Sequence, residues 1–114
     1  MTRDDTVYLQ HILDAIVKAQ SYVQDVDEAA FFDDSLVQDG VIRQMEIIGE
    51  ATKRLSGELR AQYSHVPWSD MAGMRDKLIH DYFGVDLDTI WLTAIEDLPV
   101  LQAEVAVILR EISE

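Results

Sequence analysis

The chain has 114 residues, a formal net charge of −13 at pH 7 and no cysteine. This length predicts one domain over residues 1–114 with its own hydrophobic core, and the lack of cysteine excludes disulfides and thiolate metal sites. No apolar run reaches the roughly 20 residues that a membrane helix needs, and the first ten residues lack the apolar region of a signal peptide. We therefore expect a cytoplasmic protein with no membrane contact.

The negative charge is distributed unevenly along the chain. Residues 43–80 contain six lysines or arginines against five acidic residues, whereas the remaining positions contain three against seventeen. Because nucleic acids favour basic surfaces, the net charge argues against non-specific RNA binding. A neutral or mildly basic face inside an acidic surface stays compatible with RNA, and the acidic surface suits a basic protein partner.

The first predicted element is a helix over about residues 4–24, with Asp4 or Asp5 as its N-cap. A short helical turn is expected at 28–32. The apolar positions that recur at helical spacing in the first helix, and are predicted to face inward, are Val7, Leu9, Ile12, Leu13, Ile16, Ala19 and Val23.

A second long helix is predicted at 35–56, where Ser56-Gly57 supplies the stop signal. A short helix is expected at 58–63. The apolar positions predicted to face inward from the second long helix are Leu36, Val37, Val41, Met45, Ile48 and, at its end, Leu55.

The third long helix is predicted at 68–83. Pro67 favours a helix that begins immediately after it, and Gly84 is placed for a left-handed C-terminal cap. The two tryptophans, Trp68 and Trp91, sit beside apolar residues at helical positions and are expected to be core residues.

The last predicted helix begins at Asp86 or Asp88, either of which can cap it, and Pro99 should kink or divide it. No alternating β-branched runs or Asn-Gly hairpin signals occur. The predicted fold class is therefore all-α, an up-and-down four-helix bundle with short extra helices.

The polar residues Arg75, Asp76, His80 and Tyr82 interrupt the apolar pattern of the third long helix. Arg75 and Tyr82, seven residues apart, share one face of an ideal helix, as do Asp76 and His80, four apart. Arg75 and His80 lie about 140° apart around the axis, so one straight helix does not direct both at one atom. A composite site in a symmetric dimer would bring them together. The alternative is an Asp76–His80 ion pair beside a solvated arginine.

The second long helix carries a polar stripe of Arg43, Glu46, Glu50, Lys53 and Arg54 at three- and four-residue intervals. Such a stripe is usually a solvated face with i,i+4 ion pairs. Glu46 and Glu50 are nevertheless retained as supporting polar residues of a candidate site.

Other kinds of site find little support. The three histidines share no short metal-binding spacing, so no metal site is predicted. The sequence also lacks a phosphate-binding glycine loop and the turn that presents a serine nucleophile.

Three blocks of the sequence resemble the HepT-like proteins, the toxin branch of the HEPN superfamily. They are "RQMEIIGEATKRLS" at 43–56, "VPWSDMAGMRDKLIHDYFGVD" at 66–86 and "DLDTIWLTAIEDLPVL" at 86–101. The resemblance covers most of the chain and is weakest over 1–35. It implies a HEPN-like helical bundle that acts as a homodimer and cleaves RNA without a metal ion or other cofactor.

The resemblance also assigns roles to the motif residues. Arg75 and His80 would be the catalytic ribonuclease residues of a toxin in a type II toxin–antitoxin system. Tyr82 would accept AMP from a cognate nucleotidyltransferase antitoxin, which would itself use ATP and Mg²⁺. Asp76 fills a position where the family usually has a polar residue, most often asparagine, and it adds negative charge beside the proposed phosphate site.

Two other classes of function remain open from the sequence. The chain could be a catalytically silent helical module that binds a nucleotidyltransferase, which the acidic charge and Asp76 favour. It could also be a purely structural helical dimer, which the motif argues against.

Overall fold

The computed structural model describes residues 3–73 and 86–113, and this part of the chain is all-α, with no strand. The helices are α1 (Arg3–Val23), α2 (Glu28–Phe32), α3 (Ser35–Lys53), α4 (Gly57–Gln62), α5 (Leu87–Leu92) and α6 (Leu98–Ser113). Residues 68–73 are also helical. The predicted all-α fold class is therefore confirmed.

The central feature of the fold is the packing of α1 against both α3 and α6. The large apolar side chains of the three helices that are at most 1% exposed are Leu9, Ile12, Ile16, Val41, Met45, Ile48, Val105 and Ile108. Each such side chain contributes about 1.5–3 kcal/mol through burial. The fold is therefore held by apolar contacts between helices distant in sequence.

The two tryptophans lie where the sequence predicted, in or against this core. Trp68 is buried and its indole N–H donates to the carbonyl oxygen of Tyr63 at 2.9 Å. Trp91 is half-buried, with its ring centroid 5.2 Å from that of Phe31 on α2. Trp91 thereby fixes α2 against α5.

The sequence analysis predicted too many apolar residues to face the core. Val7 and Leu36 are 42% and 81% exposed, although both were predicted to face inward. Val7 lies about 160° around the helix axis from the buried Leu9, so it cannot share the buried face. Ile95, an apolar residue of the last helix, is 43% exposed and lies in a π-helical turn, which rotates the side chains away from α-helical positions.

The N-cap prediction for α1 was wrong. The helix begins at Arg3, so Asp4 and Asp5 lie in its first turn. Asp5 is only 1% exposed, and its carboxylate accepts hydrogen bonds from the Ser56 N–H at 2.8 Å and the Ser56 hydroxyl at 2.7 Å. A buried carboxylate needs such donors, and a residue 51 positions away supplies them.

The stop signal at Ser56-Gly57 also works differently from the prediction. Helix α3 ends at Lys53 with Arg54 in a right-handed conformation, and no described glycine has a positive φ. Ser56 is instead the N-cap of α4, since its hydroxyl accepts from the Leu59 N–H at 3.1 Å. The same serine therefore binds Asp5 and begins a helix.

Pro99 divides the last helix, as the sequence predicted. A π-helical turn at Thr93–Asp97 joins α5 to α6 immediately before this proline. Proline has no N–H, and its ring would clash with the carbonyl four residues earlier in a regular α-helix. The wider turn relieves that clash. Asp86 caps α5, also as predicted, by accepting from the Asp88 N–H at 3.0 Å.

Candidate functional site

The catalytic and modification residues predicted from the sequence, Arg75, Asp76, His80 and Tyr82, lie outside the described residues. Their geometry, and the predicted Gly84 cap with them, therefore stays a prediction. The chain on both sides of the motif is anchored in the core. Before the motif, a helical segment starts after Pro67 as predicted, and its residues Trp68 and Met71 are only 6% and 4% exposed. After the motif, Ile90 is only 5% exposed.

The supporting residues Glu46 and Glu50 are brought together on one face of α3. The Glu46 carboxylate lies 3.7 Å from an Arg43 guanidinium nitrogen, and the Glu50 carboxylate lies 3.2 Å from one of Arg54. Both contacts are ion pairs within one helix, as expected of a charged helical stripe. The charges of these four residues are therefore balanced on this face.

An open groove of about 560 Å³ runs between α1 and α3 and includes these residues. We call it the α1–α3 groove, and its lining residues are Tyr8, His11, Arg43, Glu46, Ile47, Glu50, Ala51 and Arg54. The buried Ala51 and half-buried Ile47 form an apolar floor, and polar or aromatic side chains form the rest. The groove therefore combines cations, carboxylates and rings in one concave surface.

Arg54 is held in place within this groove by two neighbours. Its guanidinium carbon lies 5.9 Å from the centre of the Tyr8 ring, within cation–π distance, and its Nε donates to Glu50 Oε1 at 3.3 Å. The hydrogen bond with Tyr8, then the one with Glu50, raises the pKa of Arg54 above its usual value. Arg54 is therefore a fixed positive charge at one end of the groove.

Tyr8 and His11 were not recognised as site residues from the sequence. Their rings meet edge to face with centroids 6.0 Å apart, and His11 is exposed. The signal was their i,i+3 spacing, which places them on one face of α1. It could not be used because nothing in the sequence showed that this face lies opposite the charged stripe of α3.

A second cavity, of about 340 Å³, lies between α3, the helical segment 68–73 and the C-terminal helices. It is mostly apolar, with Ile48, Met71 and Leu98 in its wall, and its polar lining residues are Asp70, Thr93, Asp97 and Glu104. Within residues 3–73 and 86–113, no group of three or more His, Asp or Glu side chains could hold a metal ion. In the same ranges, no helix is both long and apolar enough to cross a lipid bilayer.

Comparison with known proteins places these features in a family. The family described as ribonuclease HepT-like matches residues 12–108. A protein of Methanocaldococcus jannaschii, named as a gamma-glutamylcyclotransferase and candidate RNase, is 45% identical over 114 residues, which are 100% of this chain but 51% of that protein. No solved structure gives a significant match.

Two other relatives match over almost their whole length. A second Methanocaldococcus jannaschii protein, named as a candidate RNase, is 38% identical over 112 residues, covering 98% of this chain and 97% of that protein. A Thermococcus cleftensis protein named as a probable ribonuclease HepT is 40% identical over 104 residues, covering 91% and 94%. The chain therefore belongs to the ribonuclease HepT-like family.

Proposed function

We propose that this chain is the ribonuclease toxin of a type II toxin–antitoxin system and acts in the cytoplasm. The observation that carries the proposal is the motif Arg75-x4-His80-x-Tyr82, which lies within the residues that the ribonuclease HepT-like family matches. The names of the relatives, candidate RNase and probable ribonuclease HepT, support the same activity.

The side chains of the motif suit RNA cleavage without a metal ion. In this reaction the 2′-oxygen of a ribose forms a bond to the adjacent phosphorus, the bond to the 5′-oxygen breaks, and a proton moves from the first oxygen to the second. A histidine such as His80 can transfer protons at neutral pH. The guanidinium of Arg75 can bind the phosphate bidentately and stabilise the charge that develops on it.

A homodimer would complete this site. Because His80 lies five positions after Arg75, the two side chains diverge by about 140° on an ideal helix. A two-fold axis beside the motif would let each protomer contribute to a shared cleft. Light scattering should therefore give twice the 13.0 kDa mass of the chain, and a monomer at micromolar concentration would contradict the composite site.

Cleavage assays test the activity directly. Wild-type protein should cleave RNA in the presence of EDTA, and His80→Ala and Arg75→Ala should each abolish cleavage and restore growth to cells that overexpress the chain. His65→Ala and Arg110→Ala are matched controls, because both residues are exposed outside the motif, and they should keep full activity. Cleavage by both motif variants at the wild-type rate would place the chemistry elsewhere.

We further propose that Tyr82 is the switch that silences the enzyme. A partner nucleotidyltransferase, with ATP and Mg²⁺, would direct the Tyr82 hydroxyl oxygen to the α-phosphorus of ATP. An oxygen–phosphorus bond forms there, pyrophosphate leaves and the phenol proton is released. The AMP group adds bulk and negative charge, which would oppose binding of the RNA phosphate.

Mass spectrometry after incubation with the transferase tests this switch. The wild-type chain should gain the mass of one or more AMP groups at Tyr82 and lose RNase activity. Tyr82→Phe keeps the ring but lacks the hydroxyl, so it should stay active and unmodified. An adduct on Tyr8, Tyr22 or Tyr63, with Tyr82 unmodified, would show that the switch lies elsewhere.

The second candidate function is a catalytically silent module that binds a nucleotidyltransferase. Asp76 and the net charge of −13 favour it, because both oppose the approach of RNA phosphates. Its signature is a stable complex with the transferase together with no RNA cleavage by the wild-type chain.

A further inference from the structure

We propose that the α1–α3 groove is a substrate-binding site that holds an unpaired stretch of RNA. In this proposal the ring of His11 stacks on a base, and Arg43 and Arg54 bind two phosphates of the same strand. The inference rests on the proposed ribonuclease function and extends it, since it names the class of substrate, single-stranded RNA, and the residues that hold it.

The two arginines can reach a ligand at little cost. The side chains of Arg43 and Arg54 are 67% and 57% exposed, and both are paired with glutamates of the same helix. Exposed ion pairs of this kind contribute little to stability, so a phosphate can replace the glutamate as partner. Both guanidinium groups line one groove, and they can therefore bind two phosphates of one strand.

The aromatic part of the groove suits stacking. His11 is exposed, while the half-buried Tyr8 contacts both His11 and Arg54 through its ring. Tyr8 thus limits the motion of the two groups that would meet a nucleotide and acts as a positioning residue. Aromatic rings and arginine planes are the surfaces on which unpaired RNA bases stack.

Two features favour an unpaired strand over a duplex. The groove volume, about 560 Å³, is in the range of sites that enclose one small ligand. Glu46 and Glu50 lie among the arginines, so a duplex with its dense phosphates would meet repulsion. A base edge, by contrast, offers N–H donors that a carboxylate can accept.

Fluorescence anisotropy with labelled single-stranded 2′-O-methyl RNA tests the site, because the methyl group blocks cleavage and the wild-type protein can be used. His11→Leu should weaken binding about ten-fold, as expected for the loss of one stacking partner. His65→Leu is its matched control. His65 is also exposed and also meets a tyrosine edge to face, at 6.4 Å from Tyr63, outside the groove, and this variant should bind like wild type.

The arginines are tested by the dependence of binding on salt. Arg43→Gln and Arg54→Gln should each reduce the slope of log affinity against log salt by about 0.7, the contribution of one phosphate contact on a single strand. Arg110→Gln removes the same charge from the exposed end of α6 and should leave the slope unchanged. Circular dichroism of every variant checks that the bundle stays folded.

The outcomes separate this inference from the proposed function. If the wild-type chain cleaves RNA but the three groove variants bind like their controls, the groove is not a substrate site and the ribonuclease proposal stands. If the groove variants lose binding while the wild-type chain cleaves no RNA, the groove binds RNA and the ribonuclease proposal fails. Equal affinity for a duplex, or no measurable binding of single-stranded RNA, would overturn the inference.

Discussion

Two carboxylates of the α1–α3 pair, those of Asp5 and Glu50, differ in their burial and in how far along the sequence their partners lie. Asp5 on α1 is 1% exposed and binds the Ser56 N–H and hydroxyl, 51 residues away. The side chain of Glu50 on α3 is 42% exposed and pairs with Arg54, four positions later at the C-cap of the same helix. The Asp5–Ser56 contact joins parts of the chain that are distant in sequence, whereas the Glu50–Arg54 contact is local to the surface of one helix.

The comparison shows how one bundle can be rigid and adaptable in neighbouring places. A buried carboxylate without its donors is costly, so the Asp5–Ser56 contact admits few alternatives. The exposed Glu50–Arg54 pair is close to neutral for stability and can be exchanged for other partners. We therefore expect the polar contacts that stabilise the fold to lie in the interior, and those that bind a ligand to lie in the groove.

Asp5→Ala should give the largest effect. The substitution removes the carboxylate that accepts hydrogen bonds from the partly buried Ser56 N–H and hydroxyl. The free energy of unfolding should therefore fall by about 3 kcal/mol. Urea unfolding followed by circular dichroism measures this. The control Asp4→Ala, at the exposed neighbouring position, should change stability little, and equal losses in the two variants would contradict the special role of Asp5.

Ser56→Ala should be the next largest. The serine hydroxyl both donates to Asp5 and accepts from the Leu59 N–H as the N-cap of α4, and loss of a serine cap costs about 0.5–2 kcal/mol. The hydrogen bond from the Ser56 N–H to Asp5 is retained, so the loss of stability should be smaller than in Asp5→Ala. A double variant whose loss equals the sum of the two single losses would show that the residues do not act together.

The Asp5–Ser56 contact also shows how much the sequence could predict. Helices α1 and α2, the helix start after Pro67, the Asp86 cap and the division at Pro99 depend on neighbouring residues, and those predictions are confirmed. Ser56 was taken as a stop signal and Asp5 as a cap, because their pairing depends on how α1 packs against α4. Local spacing contains no information about that contact.

The same limit applies to the candidate site. The three sequence blocks at 43–56, 66–86 and 86–101, which include Arg75, His80 and Tyr82, were enough to predict a family, and the family is confirmed. The α1–α3 groove was missed because His11 and Arg54 come from helices whose faces meet only after folding. The exposure of Leu36 was not predicted for a similar reason, since none of the described helices covers that apolar position.

Tyr63 tests a contact of intermediate burial. Its hydroxyl donates to Glu111 at 2.8 Å; this hydrogen bond, burial and the nearby negative charge raise the pKa of Tyr63. Because the pKa of this tyrosine is higher in the folded state, the fold is stabilised at pH values below the unfolded-state pKa of about 10. This stabilisation is lost as the pH rises through the folded-state pKa. Tyr63→Phe should therefore be less stable than wild type at pH 7, with the difference shrinking at strongly alkaline pH.

A double-variant cycle with Glu111→Gln assigns that pH dependence to the pair. The coupling between the two positions should be measurable at pH 7 and should vanish once Tyr63 ionises. A difference between wild type and Tyr63→Phe that stays constant to the highest pH measured would show that the ring environment, and not the hydrogen bond, is responsible.

Glu50→Gln should have the smallest effect on stability and is the sharpest test of the comparison. It removes the charge of an exposed pair but keeps the length of the side chain, so the urea midpoint should change little. Its consequence should appear in binding, because Arg54 loses a competing carboxylate and single-stranded RNA should bind more tightly, most clearly at low salt. If Glu50→Gln instead destabilises the fold as much as Asp5→Ala does, then the groove is part of the structural framework, and the division between a rigid interior and an adaptable surface fails.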